Sequence, residues 1–247
     1  MRTKLFLLTL AIAITQMGMS SCVNIQSSNE SSGKNIEKKF TTEPFDIIDT
    51  EAVAKIEFVQ SQQTYVRAEG DEEAVNNLRV SNENGKLKIR MIDKKLHNGK
   101  SNNIKLTIYI SSPELTKINH EGVGAFVLKD KVELDNILIE YEGVGNLIAE
   151  NLIVNNINID YEGVGSVKLT GKATTAKFNS DGVGSINAKD FDVDHLTVRA
   201  SGVGSIKCRA NGTIDLSSDG VGGITYWGNP EVLKLNKNGI GKIKSGK

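Results

Sequence analysis

A single tripeptide, Gly-Val-Gly, returns through the second half of the chain at nearly constant spacing. Successive copies start between 18 and 21 residues apart, and the last copy has isoleucine at its centre; the first glycines are Gly122, Gly143, Gly163, Gly182, Gly202, Gly220 and Gly239. A period near 20 residues, kept over seven copies, is typical of a solenoid, in which each repeat packs only against its neighbours.

The residues between the tripeptides alternate between apolar and polar side chains, as in Asn156-Ile157-Asn158-Ile159-Asp160. An apolar residue also stands two positions after each second glycine: Phe126, Leu147, Val167, Ile186, Ile206, Ile224 and Ile243. Alternation with period two and many β-branched residues favour strands over helices. The sequence therefore predicts an all-β fold, a parallel β-helix with coils of about 20 residues and these apolar columns pointing inward.

The glycines are interpreted as the corners of the coils. Glycine reaches positive φ at little steric cost, so two glycines let a corner bend around a valine that is expected to pack inward. On this reasoning Gly163→Val should destabilise the fold. A phosphate-binding loop is disfavoured because no helix follows the glycines and no Lys-Ser/Thr pair is placed after them.

Length and charge exclude some functions. The 247 residues suit one sizeable domain, and 30 Lys+Arg balance 30 Asp+Glu, so no basic surface for nucleic acid is expected.

The first 39 residues are predicted to contain a targeting signal followed by a tether, and not part of the folded domain. Arg2 and Lys4 precede an apolar run over residues 5–14, which is too short to span a bilayer, so residues 1–21 are predicted to be a signal peptide. Ser20-Ser21-Cys22 resembles the lipobox of bacterial lipoproteins, which implies lipidation of Cys22 and an outer-membrane location, on the periplasmic or cell-surface face. The alternative is an ordinary secretory signal cleaved nearby. Residues 22–39 are expected to form a flexible tether.

Residues 40–247 are predicted to be a single β-helix domain. Residues 40–117 lack the tripeptide and are expected to form irregular coils and a cap, with a short helix over residues 71–78 capped by Asp71 and a hairpin at Asn84-Gly85. Residues 118–247 carry the repeats. Cys208 falls in an inward column, so no disulfide is expected.

Several motifs together resemble a known family. They are Glu69-Gly70-Asp71-Glu72, the run from Asn84 to Ile89, and Ser112-Pro113-Glu114-Leu115 before the Gly-Val-Gly repeats. The chain is similar, over roughly residues 40–245, to the head GIN domain family of auto-transporter adhesins. The resemblance implies a right-handed β-helix in an envelope protein of Gram-negative bacteria, and it implies no catalytic residues.

The residues next to the tripeptide form a candidate ligand face: Tyr141, Glu142, Tyr161, Glu162 and Asp181. Stacked carboxylates could attract Ca²⁺, or they could be turn residues that bind nearby backbone N–H groups. The two tyrosines could hold a sugar ring, or they could stabilise the sheet as a cross-coil pair. Neither a metal site nor a cofactor is predicted.

Few residues of the sequence are candidates for catalysis. Three histidines, His97, His120 and His195, lie far apart in the sequence, and none has a context that indicates a nucleophile. Lys117 could pair with His120 and Glu121, and Arg199 could join Glu140, Glu142 and Glu162 as in β-helix lyases. The favoured function is a non-enzymatic, adhesin-like scaffold that binds a glycan or surface protein; the alternative is a polysaccharide-active or glycan-binding protein.

We expect Cys22→Ala to move the protein from the membrane fraction to the soluble fraction, because the lipid would have no attachment site. Fractionation and palmitate labelling of cells that express each form would measure this. Palmitate labelling that persists in the variant would contradict the anchor.

Overall fold

The computed structural model describes residues 34–92 and 105–246, and these are almost entirely β-structure, with 78% strand and 2% helix. The all-β prediction is therefore confirmed. The elements are β1 (Asn35–Phe40), β2 (Ile47–Val53), β3 (Lys55–Gln60), β4 (Tyr65–Asp71), α1 (Glu72–Asn76), β5 (Leu78–Glu83), β6 (Lys86–Met91), β7 (Leu106–Ser112), β8 (Lys117–Tyr161), β9 (Val164–Ser180), β10 (Val183–Ala200), β11 (Val203–Arg209), β12 (Thr213–Ser218), β13 (Val221–Trp227), β14 (Glu231–Lys237) and β15 (Ile243–Ser245).

The repeats stack as parallel coils of about 20 residues, which form a β-solenoid of roughly five turns. Val183 in β10 pairs with Val164 in β9 on one side and with Val203 in β11 on the other. The glycine after each valine keeps the same register. Equivalent residues of successive coils are therefore direct neighbours along the solenoid, as the period predicts.

The core is built from inward columns that run along the solenoid. In the column two residues after the tripeptide, Phe126, Leu147, Val167, Ile186, Ile206 and Ile224 are between 0% and 4% exposed. Cys208 lies in the next inward column between Ala188 and Tyr226, and it is fully buried and unpaired, as predicted. Burial raises the pKa of its thiol to about 12, because the thiolate would lose its hydration.

The N-terminal end is closed by antiparallel strands. Strands β2 and β3 stack on β8, and β6 and β7 stack outside them in parallel. Beyond these, β5 pairs antiparallel with β6, β4 with β7, and β1 with β4. Antiparallel neighbours cover edges that another parallel coil would otherwise extend.

Two local predictions in the cap need correction. Residues 35–39 belong to β1 and not to a tether, because their backbone pairs with β4; the signal peptide and residues 22–33 lie outside the described residues. The helix is shorter than predicted, and the Asp71 side chain does not cap it, because Asp71 Oδ2 accepts the backbone N–H of Lys105. The Asn84-Gly85 hairpin is confirmed, with φ of 53° and 77° at the turn.

The C-terminal end differs from the N-terminal end. Among the described strands, β14 pairs only with β12, and β15 only with β13. Leu233 and Leu235 in β14 are 61% and 47% exposed, because no described coil covers them. A register shift after Ile214 places Val232 beside Ile214 and Lys234 beside Asp215.

No helix among the described residues is both long enough and apolar enough to cross a membrane.

The two glycines of each tripeptide are required for different reasons. The second glycine has positive φ in every copy, for example +142° at Gly165, which side chains rarely adopt. The first glycine, such as Gly163, does not have positive φ, so backbone strain does not explain why this position is glycine. A Cβ at Gly163 would instead lie 2.6 Å from the carbonyl oxygen of Gly143 in the preceding coil.

Gly163→Ala should therefore lower the free energy of unfolding by about 1–3 kcal/mol, because the added methyl group forces two backbones apart. Chemical denaturation measures this. Ser166→Ala is the matched control three residues away, and it should change the free energy by less than about 0.5 kcal/mol. Equal stability of Gly163→Ala and the unmodified chain would contradict the close-approach argument.

Candidate interaction face

The valines of the tripeptides point outward and form a continuous apolar row. We call this row the valine ladder: Val123, Val144, Val164, Val183, Val203 and Val221, each between 46% and 52% exposed. The prediction that these valines pack inward was wrong. Tyr141 and Leu147 both face the core, and alternation along the strand between them places Val144 on the outer surface.

A second row, the acidic column, lies two residues before the central residue of each tripeptide, that is, before the six valines of the ladder and Ile240. It contains Glu121, Glu142, Glu162, Asp181, Ser201, Asp219 and Asn238, all exposed. Ser201 Oγ donates to Asp181 Oδ1 over 2.9 Å, and Asn238 Nδ2 donates to Asp219 Oδ1 over 2.7 Å. Within residues 34–92 and 105–246, the three glutamates have no ion-pair partner. The solenoid thus presents uncompensated negative charge beside an apolar ladder.

The predicted tyrosine platform is buried. Tyr141 and Tyr161 are 0% and 1% exposed, and their rings stack with centroids 5.6 Å apart and an interplanar angle of 25°. They can therefore stabilise neighbouring coils from inside, but they cannot touch a ligand on the surface. Of the five residues of the predicted ligand face, the structure leaves Glu142, Glu162 and Asp181 accessible.

His120 continues the buried tyrosine column toward the N-terminal coils. Its ring lies 4.9 Å from that of Tyr141, and its Nδ1 is 2.7 Å from Thr50 Oγ1. No described residue provides a hydrogen-bond partner for Nε2. Burial lowers the pKa of His120 from 6.5 to about 4. Burial, with a smaller contribution from Tyr161, raises the pKa of Tyr141 to about 12, so both side chains stay neutral near pH 7.

Lys117 and Arg199, the two basic residues considered for catalysis, are held in separate ion pairs. Lys117 Nζ is 2.8 Å from Glu140 Oε2, so the predicted pairing of Lys117 with His120 and Glu121 was wrong. Arg199 binds Asp215 through two hydrogen bonds of 3.0 and 2.7 Å, which lower the pKa of Asp215. His195 is exposed and contacts Thr213, and His97 lies outside the described residues. The structure does not bring these groups together in one cleft.

Two further kinds of site, a metal-binding cluster and a cavity with reactive side chains, were considered in the described residues. Within the described ranges, no group of three or more His, Cys, Asp or Glu side chains could hold a metal ion. A cavity of about 540 Å³ lies between the cap and the first coils, next to Val123. Its charged side chains include Lys55, which pairs with Glu57 over 2.5 Å, and Glu69, which is 3.4 Å from Arg67.

These features define an all-β solenoid protein with a repeated, mixed apolar and acidic outer face. The chain belongs to the family described as "Putative auto-transporter adhesin, head GIN domain", whose model matches residues 44–230. This membership confirms the resemblance found in the sequence motifs. No curated protein matches the chain.

One solved structure supports the same family, and two others share the fold. A "putative adhesin" from Bacteroides fragilis is 34% identical, with a TM-score of 0.82 over 87% of this chain and 98% of that one. Two proteins from Parabacteroides distasonis have the same fold over 87% of this chain and 98% of each of theirs. One is a "putative adhesin" at 19% identity and a TM-score of 0.67, and the other a "putative lipid binding protein" at 24% and 0.64.

The buried histidine should make stability depend on pH. Since the pKa of His120 is lower in the folded chain, the unfolded chain binds the proton more tightly, and stability falls as pH drops from about 6.5 to about 4. His120→Phe keeps an aromatic ring beside Tyr141 but cannot be protonated. We expect it to remove up to about 3 kcal/mol of the pH-dependent change in the free energy of unfolding.

Denaturation curves at several pH values between 7 and 4 test this. His195→Gln, which replaces an exposed histidine, is measured beside His120→Phe as the control. A pH dependence that is identical in His120→Phe and in the unmodified chain would refute the assignment.

Proposed function

We propose that the protein is a non-enzymatic scaffold of the cell envelope that binds a surface or polymeric partner through the valine ladder and the acidic column. Membership of an adhesin-like family supports this proposal, as does the 34% identity to an adhesin-like protein of Bacteroides fragilis. A glycan or a surface protein is the class of partner that we favour.

The observation that carries the proposal is the repetition of one surface unit. Six consecutive coils each present a half-exposed valine, and in most of them an acidic side chain lies two residues earlier. Equivalent contacts repeated at about 4.8 Å are individually weak, but together they can hold a long or multivalent partner. A packed core does not require these outer valines, and polar residues occupy many other outward positions.

Attachment to the outer membrane through lipid on Cys22 is part of the proposal. The apolar run of residues 5–14 and the Ser20-Ser21-Cys22 sequence support it. An anchor would keep the solenoid at the envelope and would raise its local concentration.

A polysaccharide-active enzyme is the alternative. Such an enzyme needs a constellation of acids and bases held to within about 0.5 Å by supporting residues. Among the described residues, Glu140 and Arg199 are instead engaged by Lys117 and Asp215. Glu142 and Glu162 remain free, so they are the residues to test for turnover.

Replacing the middle of the ladder with isosteric polar residues should weaken binding. Val144→Thr, Val164→Thr and Val183→Thr in one chain keep the β-branched shape but remove apolar contact, and we expect affinity to fall about ten-fold or more. The measurement is binding of the full chain to acidic and neutral polysaccharides and to intact Gram-negative cells. Val232→Thr is the matched control, because Val232 is 45% exposed but lies off the ladder.

Equal binding by the triple variant and the control would refute the ladder as the binding face. The same polysaccharides, followed for new reducing or unsaturated ends, test the alternative. Polysaccharide cleavage by the unmodified chain that is lost in the double variant Glu142→Gln/Glu162→Gln would show that the protein is an enzyme and not only a scaffold.

A further inference from the structure

We propose that the partner of the valine ladder is the valine ladder of a second copy of this chain, with the two solenoids side by side and pointing the same way. This inference rests on the proposed function, since it names the partner of the same face.

The ladder offers an accessible, linear apolar surface. Its six valines lie in register over five steps of about 4.8 Å, a length of about 24 Å, and Val53 and Ile240 extend it by one coil at each end. The coil bends at the glycine before the valine, at Gly163, Gly182, Gly202 and Gly220. The ladder therefore follows an outer edge of the rod, where a second rod can approach without interference from the rest of the molecule.

The spacing of the ladder favours a second solenoid over other elements. An α-helix advances 5.4 Å per turn, and an extended strand about 6.6 Å per two residues, so either would lose register with the coils within a few repeats. A second copy repeats at the same spacing, because backbone hydrogen bonds between coils set the period in both molecules. Identical valines can then pack against each other along the whole ladder, as in the dry interfaces of stacked β-sheets.

The polar columns on the two sides of the ladder determine the direction. On one side lies the acidic column. On the other side lie small polar residues, Asn146, Ser166, Ser185 and Ser205. Two positions further, Lys168 and Lys207 stand in a column that also holds Ile148, Asn187 and Thr225, and neither lysine has an ion-pair partner in the described part of the chain. The two sides thus differ in charge.

A two-fold axis parallel to the solenoids places the acidic column of each copy opposite the polar, mostly uncharged side of the other. Glu162 then faces Ser166 and Lys168 of the second molecule. A two-fold axis across the solenoids would instead set acidic column against acidic column, and such like-charge contacts are unfavourable. Avoidance of these contacts, with an attraction between Glu162 and Lys168, therefore selects the parallel arrangement, which also brings both capped ends, with β1, to the same side.

The contact is small, so the association is weak in dilute solution. A strip about 24 Å long and about 10 Å wide covers a few hundred Å² per copy, which is less than the roughly 800 Å² of a standard interface. Confinement to one membrane would raise the effective concentration and favour the pair.

Disulfide trapping suits a weak and oriented contact. The test uses the full chain with Val123→Cys or Val221→Cys, one at each end of the ladder, under a mild oxidant. Val232→Cys is the matched control off the ladder, because the three valines are 46%, 47% and 45% exposed. The unmodified chain reports any cross-linking through its own cysteines. The parallel arrangement predicts that each ladder variant cross-links to itself, several-fold more than the control.

Two other results would overturn the inference. Cross-linking of both ladder variants at the level of Val232→Cys means that the ladders do not meet. Cross-linking mainly in a mixture of Val123→Cys with Val221→Cys means that the copies are antiparallel. As a second measurement, Val164→Lys added to Val123→Cys should reduce cross-linking to the control level, because two ammonium groups would meet in the apolar contact. Unchanged cross-linking would count against the ladder.

The outcomes separate this inference from the proposed function. Loss of polysaccharide or cell binding in the triple threonine variant, without trapped dimers, would support the binding face and refute the second copy as its partner. Trapped parallel dimers, with binding to those probes unchanged in the triple threonine variant, would support self-association and refute the ladder as the face that binds a glycan or surface partner.

Discussion

The close approach of one coil's backbone to the next, at the Gly-Val-Gly corner, is the constraint on which the rest of the structure depends. A Cβ at Gly143 would lie 2.5 Å from the carbonyl oxygen of Gly122, so no other residue fits without separating the coils. Because the coils touch here, the hydrogen-bond register is fixed at the same point in each repeat. The inward column two residues after the tripeptide, from Leu147 to Ile224, keeps that register.

The same corner places polar groups inside the solenoid. The residue three positions before each valine faces the core, which buries His120, Tyr141 and Tyr161 in one column. Ring stacking supplies cross-coil contacts where the glycines cannot. The cost is a buried histidine that must remain neutral, and the pKa of His120 is lowered accordingly. Stability of the first coils is therefore coupled to pH through a residue far from the outer surface.

Much of the fold could be predicted from the sequence, because it depends on period. The 20-residue repeat and the two-residue alternation predicted the coils, the inward column of Leu147 and the buried Cys208. The predicted inward direction of Val144 was wrong. Counting back from the buried Leu147 by twos leaves Val144 on the outside. Pairings in the cap could not be predicted, since β7 lies between β3 and β4 through contacts distant in sequence.

The candidate site was harder to predict than the fold, because it depends on which side of the strand faces water. Glu142, Glu162 and Asp181 are exposed as expected, but the tyrosines next to them are not. The aromatic residues predicted to contact a ligand are buried, whereas the apolar groups on the surface are valines, a residue type that is common in protein cores. An outward valine recurs in six consecutive copies of the tripeptide, and counting by twos from the buried Leu147 places it outside. The proposed binding face rests on this repetition, and its spacing is set by the glycine corners themselves.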